Sequence, residues 1–292
     1  MRIVFIGSVL FSEQSLLKLL SLGANIVGII TKEKSSFNSD FIDLSFISEE
    51  RCIPFKHVKD INHSNNVRWI SELNPDILFC FGWSSLIKTE LLSLTKLGVV
   101  GFHPALLPNN RGRHPLIWAK VLGLNKTGST FFFMNEGADT GDILDQSEIN
   151  ITIEDDINVI YNKMTKVALN QIEIFYPKLI NGTYNRKKQI DKGNTWRKRN
   201  NLDGLIDFRM STSSIVNLIR ALTKPFPGAH CKLNGNEYKI WKCEPGSFNL
   251  SHIEPGKVLT NSNNTIEIKT GDGSIHLTEH ELPNLIKGQY VM

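Results

Sequence analysis

One histidine in this 292-residue chain stands where an imidazole can work. His103 closes the apolar run Leu97 to Phe102 and is followed by Pro104. The proline disfavours helical backbone just before it, so a strand has to stop there and leave the ring above a loop. Downstream, Glu136-Gly137-Ala138-Asp139-Thr140-Gly141-Asp142 places a carboxylate in a turn with two glycines. Their backbone freedom lets such a turn approach a ligand closely. A carboxylate beside an imidazole favours the charged ring and fixes its tautomer, as general base catalysis requires. His103 and Asp139 are therefore the candidate catalytic pair.

The loop Leu106-Leu107-Pro108-Asn109-Asn110-Arg111-Gly112-Arg113-His114-Pro115 carries two guanidinium groups. Arg111 and Arg113 could grip a carboxylate or phosphate with paired hydrogen bonds. Equally, Arg111 could tie the loop down by bonding backbone carbonyls. His57, His63, His230, His252, His276 and His280 read as core or surface residues. The first strand runs into G-S-V-L-F, neither G-x-G-x-x-G nor a P-loop, which argues against a dinucleotide or triphosphate held there. With no H-E-x-x-H and no Cys/His cluster, no metal ligand set is expected.

The elements that must position these groups follow from periodicity. Arg2–Ile6, Asn25–Ile30, Asp76–Phe81 and Leu97–Phe102 are short continuous apolar runs, the pattern of buried strands. Leu16, Leu17, Leu19 and Leu20 mark a helix stopping at Gly23; Phe41, Leu44 and Ile47, then Val67, Ile70 and Leu73, repeat at helical spacing. Strands alternating with helices predict a doubly wound, Rossmann-like, mostly parallel α/β sheet. One crossover unit separates the strand of His103 from the turn of Asp139, so parallel neighbouring strands are expected to bring the pair together at their carboxyl ends. Thr152-Ile153-Glu154-Asp155 reads as a capping box opening a long helix that ends at Asn181-Gly182.

The domain organisation is read as a catalytic α/β domain over 1–183, a basic linker over 184–203 and a C-terminal portion over 204–292. The linker holds Arg197, Lys198 and Arg199, a place for phosphates or simply a solvated charged run. The C-terminal portion begins with a helix through Ile215, Leu218, Ile219 and Leu222. Short alternating strands follow, around turns at Asn263-Asn264 and Gly271-Asp272-Gly273. That predicts a small β domain, an OB-like, partly open barrel.

Composition sets the outer limits. A net charge of +4, with 41% apolar and 21% charged residues, suits a globular protein with an anionic small-molecule partner. Four scattered cysteines without a C-x-x-C pair read as reduced thiols of a cytosolic protein. The amino terminus starts directly on a strand and is not expected to be a leader, and no run reaches a membrane span.

Three motifs point further. F-H-P-A-L-L-P-x-x-R-G-R-x-P, then T-G-S-T, then E-G-A-D-T-G-D resemble the 10-formyltetrahydrofolate-dependent formyltransferases, acting on methionyl-tRNA or on nucleotide-linked amino sugars. D-G-L-I-D-F, I-R-A-L-T-K-P-F-P-G-A and Y-K-I-W-K resemble the C-terminal portion of the same family, so the likeness spans nearly the whole chain. It implies formyl transfer to an amine with 10-formyltetrahydrofolate as co-substrate, His103 as base and Asp139 as its support. It implies a folate site between Phe81, Trp83, Leu86 and Ile87 on one side and Gly137, Ala138 and Asp142 on the other. One departure matters: the family's Asn-x-His reads Gly101-Phe102-His103 here. The missing amide would bind the formyl oxygen, and loss of one such donor typically costs about 10²–10³ in rate. A backbone N–H near Gly101, Asn110 or a water are the candidate substitutes.

The segment Thr31 to Phe41 is short and poor in cations, with Glu33 and Asp40 offsetting its lysines, which disfavours a nucleic-acid partner. R-G-R-x-P with Trp118 nearby looks closer to the amino-sugar enzymes. The expected acceptor is a nucleotide-linked amino sugar held by Arg111, Arg113, Trp118 and Arg197. Methionyl-tRNA is the alternative acceptor. A hydrolase or a folate-binding module without turnover are further readings, and the resemblance implies a homodimer.

Overall fold

The computed structural model describes residues 1–34, 39–190, 192–248, 250–262 and 265–291. They form two compact units. The first comprises Met1–Gly112, Thr127–Ile149 and Asn162–Trp196; the second, Arg113–Lys126, Asn150–Tyr161 and Arg197–Met292.

Along the chain run β1 (Arg2–Ile6), α1 (Leu10–Ser21), β2 (Asn25–Thr31), α2 (Ser45–Glu50), β3 (Phe55–His57), α3 (Ser64–Glu72), β4 (Ile77–Cys80) and α4 (Thr89–Leu92). Then come β5 (Val99–His103), β6 (Arg111–Gly112), α5 (Pro115–Val121), β7 (Lys126–Phe133), β8 (Ile143–Asn150), α6 (Ile157–Asn181) and β9 (Thr195–Trp196). Helix α1 ends at Leu22, with Gly23 in the left-handed region at φ 74°, the role its position predicts.

Seven strands of the first unit make one sheet in the order β3-β2-β1-β4-β5-β7-β8. The pairs β1–β2, β1–β4, β2–β3 and β4–β5 are parallel, so the sheet is doubly wound as expected. Its central strands are apolar on both faces because both faces are covered. Val4, Ile6, Leu78 and Cys80 pack with Val67 and Ile70 of α3 and Leu91 of α4. The alternate residues point the other way. Phe79 stacks on Phe81, and Phe81 meets Phe5 and Phe131 edge-on; Phe131 in turn touches Phe175 of α6.

Two expectations are corrected. Strand β7 is the neighbour of β5 but runs antiparallel to it, with His103 opposite Thr130 and Val100 opposite Phe133. The end of β7 therefore lies level with the start of β5, and residues 134–142 have to fold back to carry Asp139 to His103. The long helix is not opened by a Thr152 capping box either. Thr152 and Asp155 bond each other in a turn, and Asp156 caps α6 by accepting from the N–H groups of Asn158 and Val159. Asp156 wins because its carboxylate sits one residue before the helix.

Within residues 184–203, Lys187 bridges Ile143, and β9 pairs in parallel with β6 as Arg111–Thr195 and Gly112–Trp196. In the second unit, α7 (Thr212–Leu222) is capped by Ser211 and buries Ile215, Leu218, Ile219 and Leu222. After it come β10 (Ala229–Leu233), β11 (Asn236–Pro245), β12 (Val258–Ser262), β13 (Thr265–Lys269) and β14 (Ser274–His280). They form an antiparallel sheet in the order β10-β11-β14-β13-β12, open at β10 and β12, the partly open form expected. The Asn263-Asn264 turn and residues 35–38 of the Thr31–Phe41 segment lie outside the described residues.

Candidate active site

His103 is the last residue of β5 and is buried. Its Nδ1 lies 3.5 Å from Asp139 Oδ2, an ion-pair distance slightly longer than a standard hydrogen bond. Its Nε2 lies 2.8 Å from the carbonyl oxygen of Asn110. A carbonyl only accepts, so Nε2 carries a proton in this arrangement. The ring thus has a carboxylate at one nitrogen and a carbonyl at the other.

Asp139 is held from several directions. Its backbone is in the left-handed region at φ 57°, where an aspartate is tolerated better than most residues. Oδ2 accepts from the N–H of Gly112 at 2.9 Å. Gln189 Nε2 donates to the carbonyl of Asp139 at 2.9 Å and to that of Gly141 at 2.7 Å. Asn135 Oδ1 accepts from the N–H of Gly137 and from Thr140 Oγ1, closing the turn on itself. Gln189 and Asn135 are absent from the sequence reading. For Asn135 a signal existed, since an Asn two residues before a glycine favours such turns.

The structure gathers Asn110 and Arg111 at the same place. Asn110, at φ 62°, offers its carbonyl to His103, and its N–H donates to Asn194 Oδ1 at 2.9 Å. Arg111 Nη2 donates to Gln189 Oε1 at 2.7 Å, while its buried Nε has no hydrogen-bond partner among the described residues. Gly101 sits between Cys80 of β4 and Phe132 of β7. A Cβ placed there would lie 2.8 Å from Met134 Cγ and 3.0 Å from its Sδ.

The expected folate-facing residues divide by exposure. Phe81 is fully buried among aromatic rings, so its side chain is unavailable, and its carbonyl accepts from Ser12 Oγ. Ile87 belongs to the core beneath α3 and α4. Leu86 is 70% exposed. Trp83 is half-buried, with Lys32 Nζ 4.7 Å above its ring and an indole N–H that has no hydrogen-bond partner among the described residues. Gly137 and Ala138 are exposed, whereas Asp142 accepts from the N–H of Phe133 through its backbone. Thr89 Oγ1 donates to Glu136 Oε1 at 2.7 Å, linking the start of α4 to the turn.

Arg113, Trp118 and Arg197 belong to the second unit. There Trp118 Nε1 donates to the carbonyl of Arg197, and the guanidinium groups of Arg197 and Arg199 lie 5.2 and 4.7 Å from the Trp118 ring centre. Arg197 is committed to Asp203 through two hydrogen bonds. Those bonds, with further help from the N–H of Asn200, hold the Asp203 carboxyl down at about 2 against a smaller opposing effect of burial. Burial, followed by Arg113, Arg199 and Lys198, pushes His114 below the usual imidazole range.

A doubly wound sheet that brings a histidine and an aspartate together at the carboxyl end of a central strand has the frame common to α/β proteins that bind ligands at that edge. The comparisons make the class specific. The model of the formyl transferase family matches residues 1–173, and that of the formyl transferase C-terminal domain matches 199–287. The chain belongs to the formyl transferase family. It is 30% identical to a methionyl-tRNA formyltransferase of Caldanaerobacter subterraneus subsp. tengcongensis over 288 residues, 96% of this chain and 91% of the relative. It is 34% identical to the bifunctional polymyxin resistance protein ArnA of Wigglesworthia glossinidia brevipalpis over 244 residues, 82% of this chain but 37% of that longer protein. In fold it is similar to WlaRD, a sugar 3N-formyl transferase solved in the presence of dTDP and 5-N-formyl-THF. That match has a TM-score of 0.72 at 20% identity, covering 97% of this chain and 99% of the other. No helix among the described residues is long and apolar enough to cross a membrane.

Proposed function

We propose that this enzyme transfers the formyl group of 10-formyltetrahydrofolate to the amine of a nucleotide-linked amino sugar, in the cytoplasm. The observation that carries the reading is the approach of His103 to Asp139 at 3.5 Å. The co-substrate supplies an activated formyl carbonyl. The residues suit it: Gly137, Ala138 and Leu86 are exposed, and the indole N–H of Trp83 has no hydrogen-bond partner among the described residues.

As an uncharged amine bonds to the formyl carbon, its nitrogen becomes acidic and its proton must leave. For His103 to take it, the neutral ring has to carry its one proton on Nδ1, facing Asp139, so that Nε2 gives up both its proton and the Asn110 carbonyl and its lone pair meets the incoming nitrogen. Asp139 then offsets the charge the ring acquires, and the tetrahedral intermediate collapses by breaking the bond between the formyl carbon and the folate nitrogen, which takes up a proton as tetrahydrofolate leaves. Such proton transfer is worth about 10²–10⁴ in rate. The oxyanion donor that Gly101 lacks is assigned to the side chain of Asn110, whose backbone already borders the imidazole.

A sugar acceptor is supported by the fold likeness to WlaRD and by the short, cation-poor Thr31–Phe41 segment. The near full-length relative acting on methionyl-tRNA favours the second reading. Assay of formyl transfer to a panel of nucleotide-linked amino sugars and to methionyl-tRNA separates them: turnover with the tRNA and with no sugar overturns the preference.

A further inference from the structure

Gln189 lies in the basic segment between α6 and β9, far in sequence from Arg111, Asp139 and Gly141. All of its hydrogen-bonding capacity toward the site is spent on two arms of that site. Its NH₂ group donates to the carbonyls of Asp139 and Gly141, and its carbonyl accepts from Arg111 Nη2. The first pair of bonds holds the chain at the left-handed Asp139 and two residues after it. The third reaches the residue just before Gly112, whose N–H holds the Asp139 carboxylate. One side chain thus fastens the Asp139 turn from behind and the Arg111–Gly112 strand from the side.

We propose that Gln189 is a positioning residue for formyl transfer, holding the turn so that Asp139 faces both His103 and the Gly112 N–H. The inference rests on the reading of His103 and Asp139 as the catalytic pair. Its physical basis is that Asp139 occupies a left-handed backbone conformation, which a residue with a side chain keeps where neighbours over-determine it. An amide is the group that can donate twice to carbonyls while accepting once from a guanidinium. A glutamate would keep the Arg111 contact and set an acceptor against two carbonyl oxygens.

The test compares Gln189→Met, similar in length without the amide, and Gln189→Glu, which loses only the donors, with the wild-type enzyme. Two readouts are taken on the full chain: hydrogen exchange of the Gly112 amide, and kcat and KM for formyl transfer. Both variants are expected to lower Gly112 protection about tenfold while central-strand amides such as Phe79 keep theirs, because the opening is local. Turnover is expected to fall about ten- to a hundredfold, the scale of an approximately 1 Å misplacement, with the acceptor KM changed by less than about twofold. Wild-type Gly112 protection and kcat in both variants would overturn the proposal. A Gln189→Glu enzyme that behaves as wild type while Gln189→Met does not would also overturn it, by assigning the effect to Arg111 alone. If the wild-type protein formylates no acceptor, the functional reading fails, and Gly112 exchange still decides whether Gln189 anchors the turn.

Discussion

Met134 fills the volume that a side chain on residue 101 would need: a Cβ at Gly101 would sit 2.8 Å from its Cγ, inside any normal contact distance. The glycine and the methionine are a matched pair, and the family's asparagine cannot simply be restored. Gly101→Asn alone is expected to destabilise the protein by about 1–3 kcal/mol through overpacking, without a gain in kcat. Adding Met134→Ala should return most of that stability. Thermal unfolding of the single and double variants checks this, and equal midpoints for wild type and Gly101→Asn would refute it.

If His103 is the proton acceptor as proposed, His103→Ala lowers kcat by about a hundredfold or more with the fold intact, because its neighbours stay in place. Steady-state kinetics beside a circular-dichroism spectrum suffices. Retention of most of the activity would mean the base is misassigned.

For Asp139 the informative variant is asparagine. Alanine at φ 57° adds a backbone penalty of roughly 1 kcal/mol or more that asparagine largely avoids. Asp139→Asn should keep near-wild-type stability and still lose about a hundredfold in kcat, whereas Asp139→Ala loses both. Comparable melting of the two would show that the left-handed conformation carries no strain.

Gly112 has φ 97°, and a Cβ there would lie 2.3 Å from the backbone oxygen of Trp196, which cannot swing aside. Gly112→Ala is expected to part β6 from β9, move the N–H that holds Asp139, and cut kcat about tenfold or more. The kinetics should show the loss in kcat before any in the overall melting temperature.

The Arg197–Asp203 pair gives a pH signature. The folded carboxyl sits at about 2, below its unfolded value near 4. A depressed carboxyl contributes stability above the unfolded value and loses it as pH falls through the folded one. The stability gap between wild type and Asp203→Asn should therefore be full at neutral pH and shrink between about 4 and about 2. Chemical denaturation across that range tests it, and a gap independent of pH would contradict the assignment.

Much of this was legible in the residue order. Pro104 ended a strand at His103, the two-sided apolar strands demanded cover on both faces, and Gly23 stopped α1. Strand direction was not legible, since Lys126–Phe133 is equally apolar whether it runs up or down the sheet, and β7 runs down. Strand β10 does not stand out as an apolar run because His230 and Lys232 interrupt it. Yet Asn234-Gly235 after it, both at positive φ, is the two-residue hairpin turn that should have revealed it. Gln189 could not have been found at all. It sits among lysines in a polar stretch, and its meaning comes only from carbonyls 48 and 50 positions earlier.

The short pairing of β6 with β9 has a practical corollary for anyone dissecting the chain. A truncation after Asn181, where the long helix stops, would spare every strand of the large sheet and look complete on a topology diagram. It would nonetheless discard Gln189, Asn194 and the partner edge of Arg111–Gly112, leaving the loops that carry Asn110 and Asp139 without their clamps. Any shortened chain meant to keep this site should therefore run at least through Trp196.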